Sequence, residues 1–242
     1  MKKILFAVTL VMSAMTTQAR TLIVYYSYTN NVEQIVNELR TQVEADVIEV
    51  EPAEKGLDYA ADNYAIGSAQ IAAIRENPGD AASYPEIDPV DVDMSQYSTI
   101  IIGTPLWWSN MAAPMQSFLF QYGKEMAGKN IGLIVSSASS GISGVEGDAK
   151  RLIPDGDFLS PSLWIRSSQT SDAKTILQDW LQAIDYNSLT SGIENIEQDH
   201  NTGIIVYSLS GVRLPADAES TATLPAGLYI VNGKKTLVTR CE

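Results

Sequence analysis

The stretch Leu22-Ile23-Val24-Tyr25-Tyr26-Ser27-Tyr28-Thr29-Asn30-Asn31-Val32 decides how this chain folds. It opens as a short apolar, β-prone run, the mark of a strand buried on both faces of a parallel sheet. It then turns polar and runs directly into a helical pattern, with Val32, Ile35, Val36, Leu39 and Val43 recurring on one face. The same strand-then-helix unit repeats along the chain. Val47 to Val50 predicts a second strand, Thr99 to Ile102 a third that ends at Gly103, Ile131 to Val135 a fourth, and Leu163 to Ile165 a fifth. Between them, helices are predicted from Asp58 to Arg75, after Pro114, up to Leu152, and over Ile176 to Ile184. Five strands alternating with helices imply an α/β, doubly wound, five-stranded parallel sheet with right-handed crossovers. Such sheets bind ligands beyond the carboxyl ends of their strands. The loops after the first, third and fourth strands are therefore the candidate site.

The flanks of this domain read differently. Residues 1–19 have the pattern of a secretory signal: Lys2-Lys3, an apolar run from Ile4 to Met12 too short to span a bilayer, and Thr17-Gln18-Ala19 at the expected cut. The expected location is outside the cytoplasm, in the periplasm, secreted or at the cell surface. No other segment is apolar and long enough for a transmembrane helix. From about Leu189 the texture shifts to short β-prone runs and turns, with Asn232-Gly233 as a hairpin signal. The expected organisation is a signal over 1–19, the α/β domain over 20–187 and a small β-rich module over 188–242.

Composition narrows the function classes. Apolar residues make up 45% of the 242, enough for a real core. The formal charge is −13, and without Lys2 and Lys3 there remain 14 basic against 29 acidic residues, or −15. So acidic a chain repels nucleic acid and anionic lipid. The single cysteine, Cys241, rules out an internal disulfide, and with the single histidine, His200, it leaves no basis for a zinc site, a Cys–His nucleophile or a Ser–His hydrolase. No catalytic acid or base and no metal ligand stand out.

The loops carry the chemistry. After the first strand, Ser27-Tyr28-Thr29-Asn30-Asn31-Val32 leads into a helix start, where free amides and a partial positive charge can hold a phosphate dianion without a cation. None is at hand, since no Lys or Arg lies between Arg20 and Arg40. The same residues would also serve as a plain helix cap. After the third strand, Gly103-Thr104-Pro105-Leu106-Trp107-Trp108-Ser109-Asn110 places two indoles at a sheet edge, as a stacking surface for a flat ring or as packing onto neighbouring helices. After the fourth, Ser136 to Gly144 is rich in Ser and Gly, either a close cradle for a flat ligand or a plain surface loop.

On these loops, and on their order in the chain, residues 21–186 resemble the flavodoxin-like family of FMN-binding proteins. The resemblance implies that Ser27, Thr29, Asn30 and Asn31 hold the FMN phosphate, with Tyr28 and Val32 in the same loop. It implies Thr104, Pro105, Leu106 and Trp107, beside Trp108, on one side of the ring, and Ser139, Ser140 and Gly141 on the other. Two positions depart from the family pattern, which usually has Gly in place of Asn30 and a hydroxyl residue in place of Val32. Asn tolerates left-handed backbone angles. Val32 removes a charge-assisted bond worth about 1.5–3 kcal/mol, so weakened FMN affinity is expected. In the tail, Val206 to Gly211 and Leu224 to Val231 resemble the end of a bacterial C-terminal sorting domain.

The resemblance implies electron transfer or a small flavin-dependent oxidoreductase, with a redox partner protein or a small-molecule acceptor left open. The alternative is a binding or structural module that kept the scaffold and lost the flavin. No G-x-G-x-x-G dinucleotide fingerprint follows the first strand.

Overall fold

A computed structural model describes residues 20–139, 141–190, 206–208, 213–214, 227–231 and 234–238. The signal over 1–19, Ser140 and the Asn232-Gly233 turn lie outside the described residues. The chain divides into two compact units, Met1–Ile193 and Glu194–Glu242.

The first unit is built on a parallel sheet. In chain order its elements are β1 (Thr21–Tyr25), α1 (Asn31–Leu39), β2 (Asp46–Glu49), α2 (Ala61–Glu76), β3 (Thr99–Trp107), β4 (Asn110–Met111), α3 (Ala113–Tyr122), β5 (Asn130–Ser137), α4 (Ser143–Leu152), β6 (Asp157–Phe158), β7 (Leu163–Arg166), α5 (Ala173–Ala183) and the short α6 (Tyr186–Thr190). The strand order is β2-β1-β3-β5-β6, with β7 also paired to β5. The fifth position is therefore shared. β6 runs beside the start of β5 (Asn130 opposite Asp157), and β7 beside its end (Ile134 opposite Leu163), both parallel. This is the doubly wound, five-position sheet that the strand–helix alternation predicts.

Period-two alternation sends the strands' side chains into two cores. Leu22, Val24, Ile100, Ile102, Leu133 and Val135 pack with Ile71 and Ile74 of α2, Phe118 of α3 and Val145 of α4. Ile23, Ile101, Ile134 and Ile165 pack with Val32, Ile35 and Leu39 of α1 and Leu177 and Trp180 of α5. The helical spacing in α1 is thus the stripe that covers one face of the sheet.

Three elements differ from the sequence expectation. The fourth predicted strand runs on past Val135 to Ser137. The third strand does not end at Gly103. It continues through Thr104 and Pro105, opposite Val135 and Ser136, and then folds back, with Leu106 opposite Met111 and Trp107 opposite Asn110. Gly103 marks a close approach rather than a stop, because a Cβ there would lie 3.0 Å from Tyr25 Cβ and 3.1 Å from Val32 Cγ1. The expected helix from Asp58 is also broken. Asp62, Asn63 and Tyr64 take left-handed angles (φ 48°, 55° and 64°) before the regular turns begin. Left-handed backbone costs non-glycine residues roughly 1–2 kcal/mol each.

In the second unit, β8 (Val206–Ser208), β9 (Arg213–Leu214), β10 (Gly227–Val231) and β11 (Lys234–Val238) form an antiparallel sheet ordered β11-β10-β8-β9. Val231 opposes Lys234. Among the described residues no helix is long and apolar enough to cross a membrane.

Candidate functional site

The chain leaves the carboxyl end of β1 at Ser27 and turns into α1 through Asn30, which caps the helix in a left-handed conformation (φ 61°, ψ 0°). The Asn30 side chain makes no capping bond. Ser27 supplies one instead, its Oγ accepting a hydrogen bond from the Glu33 amide at 3.2 Å. The first intrahelical bond runs from the Gln34 amide to the Asn30 carbonyl at 3.0 Å. Among the described residues the amides of Asn31 and Val32 are left without an acceptor, as expected of a first helical turn. Asn31 Nδ2 donates to Thr29 Oγ1 at 3.0 Å, which fixes that hydroxyl over the helix start. Replacing Ser27 by Ala is expected to cost about 1 kcal/mol of stability through the lost cap. Chemical denaturation of the mature protein measures it.

The second wall is aromatic. Trp107 ends β3, and its indole meets Tyr59 at 4.8 Å, Tyr26 at 5.6 Å, Trp108 at 6.3 Å and Tyr28 at 6.4 Å between ring centroids. Burial pushes the phenols of Tyr26 and Tyr59 above their ordinary pKa, so both stay protonated donors in the physiological range. The β3–β4 turn is pinned from outside. Arg75 donates to the Trp108 carbonyl and, at 2.8 Å, to Asn110 Oδ1. The buried Asp148 carboxylate accepts from the Met111 amide and from Asn110 Nδ2, both at 2.9 Å.

The third wall is small and polar. Because β5 continues to Ser137, it is Ser136, Ser137 and Ala138 that face the site, joined by Ser167 after β7. Trp164 Nε1 donates to Ser137 Oγ at 2.8 Å and holds this wall in place.

Together the walls enclose a hollow of about 690 Å³ at the carboxyl ends of the strands. That lies within the roughly 300–1,000 Å³ common for small-molecule sites. The structure brings Ser27, Tyr28, Thr29, Asn31, Val32, Pro105, Leu106, Trp107 and Trp108 into its lining. Asn30 is exposed beside it and acts through its backbone angle. Thr104 is fully buried, with its hydroxyl on the Pro105 carbonyl at 3.0 Å, and stays out of the lining. Ser139 and Gly141 are exposed and lie outside the lining as well. The sequence reading missed Tyr59, Ala60, Tyr64 and Gly67, which reach the hollow from the irregular stretch between β2 and β3. It also missed Ser167, which the rule about carboxyl ends would have flagged had it been applied to the fifth strand.

No lining residue carries a charge. The donor set suits a phosphate held by amides and hydroxyls, and the indole wall suits an uncharged flat ring. The residues therefore fit a flavin mononucleotide in kind: one end suits the anion and the other the ring.

A doubly wound parallel sheet ordered β2-β1-β3-β5-β6, with a hollow at the carboxyl ends of its strands, has the flavodoxin-like architecture. Residues 20–184 match the family model described as Flavodoxin_4: Flavodoxin, and the chain belongs to that family. Among solved structures it is similar to a protein provisionally termed a flavoprotein from Bacteroides eggerthii, with 20% identity, 69% of this chain and 98% of that chain covered, and a TM-score of 0.55. It is similar to a Lactobacillus acidophilus flavoprotein crystallised in complex with FMN, with 21% identity, coverage of 65% and 99%, and a TM-score of 0.51. At these identities the likeness speaks for the fold. No curated protein sequence matches the chain.

Proposed function

We propose that this chain binds FMN and works in electron transfer or as a small flavin-dependent oxidoreductase outside the cytoplasm. One observation carries the reading: the start of α1 and the Trp107 indole line the same hollow, so a single ligand can reach both. Further support comes from the family and from a relative of the same fold solved with FMN. The signal pattern of residues 1–19 supports the location.

When bound, FMN supplies one- and two-electron redox chemistry. The chain's own residues bind and orient it. Ser27 and Thr29 offer hydroxyls, and Asn31 and Val32 offer amides, to the phosphate. Trp107 would offer the ring a stacking face, and Ser136 to Ala138 would let the backbone come close to it. The uncharged, partly aromatic lining disfavours added negative charge on the ring, which suits an electron donor. The buried Val32 side chain offers the phosphate only its amide, so affinity is expected in the micromolar range rather than below it.

Titrating FMN with the purified mature protein tests the reading. Saturable quenching of flavin fluorescence, with a Kd near about 1 μM (about 8 kcal/mol), is the expected result. Absence of quenching at tens of micromolar protein would favour the module that lost its flavin.

A further inference from the structure

We infer that Tyr64 is a movable cap over the outer face of the bound ring, and that Asp58–Tyr64 form a strap that the ligand holds in its left-handed form. This rests on the FMN reading above.

The strap is anchored at both ends, and Tyr59 and Gly67 pack against the indole wall, which leaves residues 61–65 exposed between them. Upstream, Tyr28 Oη donates to Asp58 Oδ1 at 3.2 Å and accepts from the Ala60 amide at 2.9 Å. Downstream, Ile71 and Ile74 of α2 are sunk in the core. Between these anchors stand three consecutive left-handed residues, Asp62, Asn63 and Tyr64. Left-handed angles are tolerated in single Asn or Asp residues, not in runs that end on an aromatic. Such strain persists where surrounding contacts enforce it. Here all three side chains are exposed, and among the described residues none makes a hydrogen bond. No hydrogen bond from these three side chains offsets the cost.

The alternative conformation is close at hand. Ala60, Ala61 and Ala65 favour a right-handed helix, and the sequence from Asp58 reads as one continuous helix. Relaxing the turn would extend α2 toward its N-terminus and carry Tyr64 away from its present position. In the left-handed form Tyr64 lines the hollow while 51% exposed. Among the described residues of the first unit, the only other large apolar side chain so exposed is Trp108, at 40%, and it lines the same hollow. An aromatic ring held at a binding site at the expense of its own backbone gains a partner when a flat ligand arrives. A ligand that contacts Tyr64 in one form only must shift the strap toward that form.

The test compares backbone variants at Asn63 with ring variants at Tyr64 in the mature protein, using FMN as the probe. Glycine adopts the left-handed region freely and a β-branched residue resists it. Asn63→Gly is expected to tighten FMN binding about threefold and Asn63→Val to weaken it about tenfold or more, with the thermal midpoint of the FMN-free protein unchanged in both. Tyr64→Ala is expected to weaken binding about tenfold, while Tyr64→Phe, which keeps the ring, binds like the wild type. Hydrogen exchange should show the amides of residues 61–66 gaining at least about tenfold protection when FMN is added, and Tyr64→Ala should abolish that gain.

If Asn63→Val lowers the midpoint of the FMN-free protein and leaves affinity unchanged, the turn is a fixed part of the fold and the strap is overturned while FMN binding stands. Equal exchange with and without FMN has the same meaning. If the wild type does not quench flavin at all, strap and FMN reading fall together.

Discussion

Gly144→Ala is expected to destabilise the protein by about 3 kcal/mol, at the upper end of overpacking costs. A Cβ at Gly144 would lie 1.8 Å from the Ser109 carbonyl oxygen and 3.0 Å from its carbonyl carbon. The obstacle is backbone, so no side-chain rotation relieves it. Either α4 must back away from the β3–β4 turn or the turn must move. Ser109 sits in that turn with φ 66°, next to Trp108 with φ 47°. The turn is further tied to α4 through Asp148. The displacement therefore reaches the indole wall, and FMN binding should weaken along with stability. Thermal unfolding should show a drop of roughly 10 °C, at about 2–4 °C per kcal/mol for a chain of this size. Gly147→Ala is the control. Nothing lies within 4 Å of a Cβ built at this exposed position of α4, so the change should stabilise by up to about 1 kcal/mol. If Gly144→Ala melts like the wild type, the close approach of α4 to the turn is wrong.

Trp107→Ala should cut FMN affinity at least tenfold and destabilise the fold by about 3 kcal/mol, near the lower end for removing a well-packed Trp. The two effects have separate causes. The indole is the hub of the aromatic wall, touching four other rings, so its loss leaves a gap beside Tyr26 and Tyr59. It also takes away the stacking face, worth roughly 0.5–1.5 kcal/mol beyond burial. Trp108→Ala removes a side chain that is 40% exposed at the mouth, and should cost less on both counts. Fluorescence titration and chemical denaturation of the two variants read out the difference. Equal losses in affinity would mean that the ring rests on the wrong indole.

How far the sequence reveals all this depends on which interactions decide each element. β1 and α1 are local: an unbroken apolar run followed by a 3.6-residue stripe can only bury itself one way, and the Ser27–Val32 loop follows. The extension of β3 is not local. Gly103 and Pro105 read as breakers, yet Gly103 is there because Tyr25 and Val32 press against it. Pro105 nevertheless stays in register opposite Ser136, and its carbonyl accepts the Ala112 amide at 3.2 Å where the strand folds back. The same extension of β5 moves the small-residue wall from Ser139–Gly141 to Ser136–Ala138. Tyr59 and Tyr64 were hidden for another reason. Their stretch carries a helix pattern, and only the tertiary structure shows it bending across the hollow.

The hollow draws on residues from Ser27 to Ser167, contributed by separate segments of chain. No fragment can therefore assemble it. Occupancy registers completed folding of the whole first unit, and a ligand at about one hundred times its Kd would hold that unit together by about 2.7 kcal/mol more than an empty site. For a chain exported as proposed, flavin capture would tilt the balance further toward molecules that have finished folding.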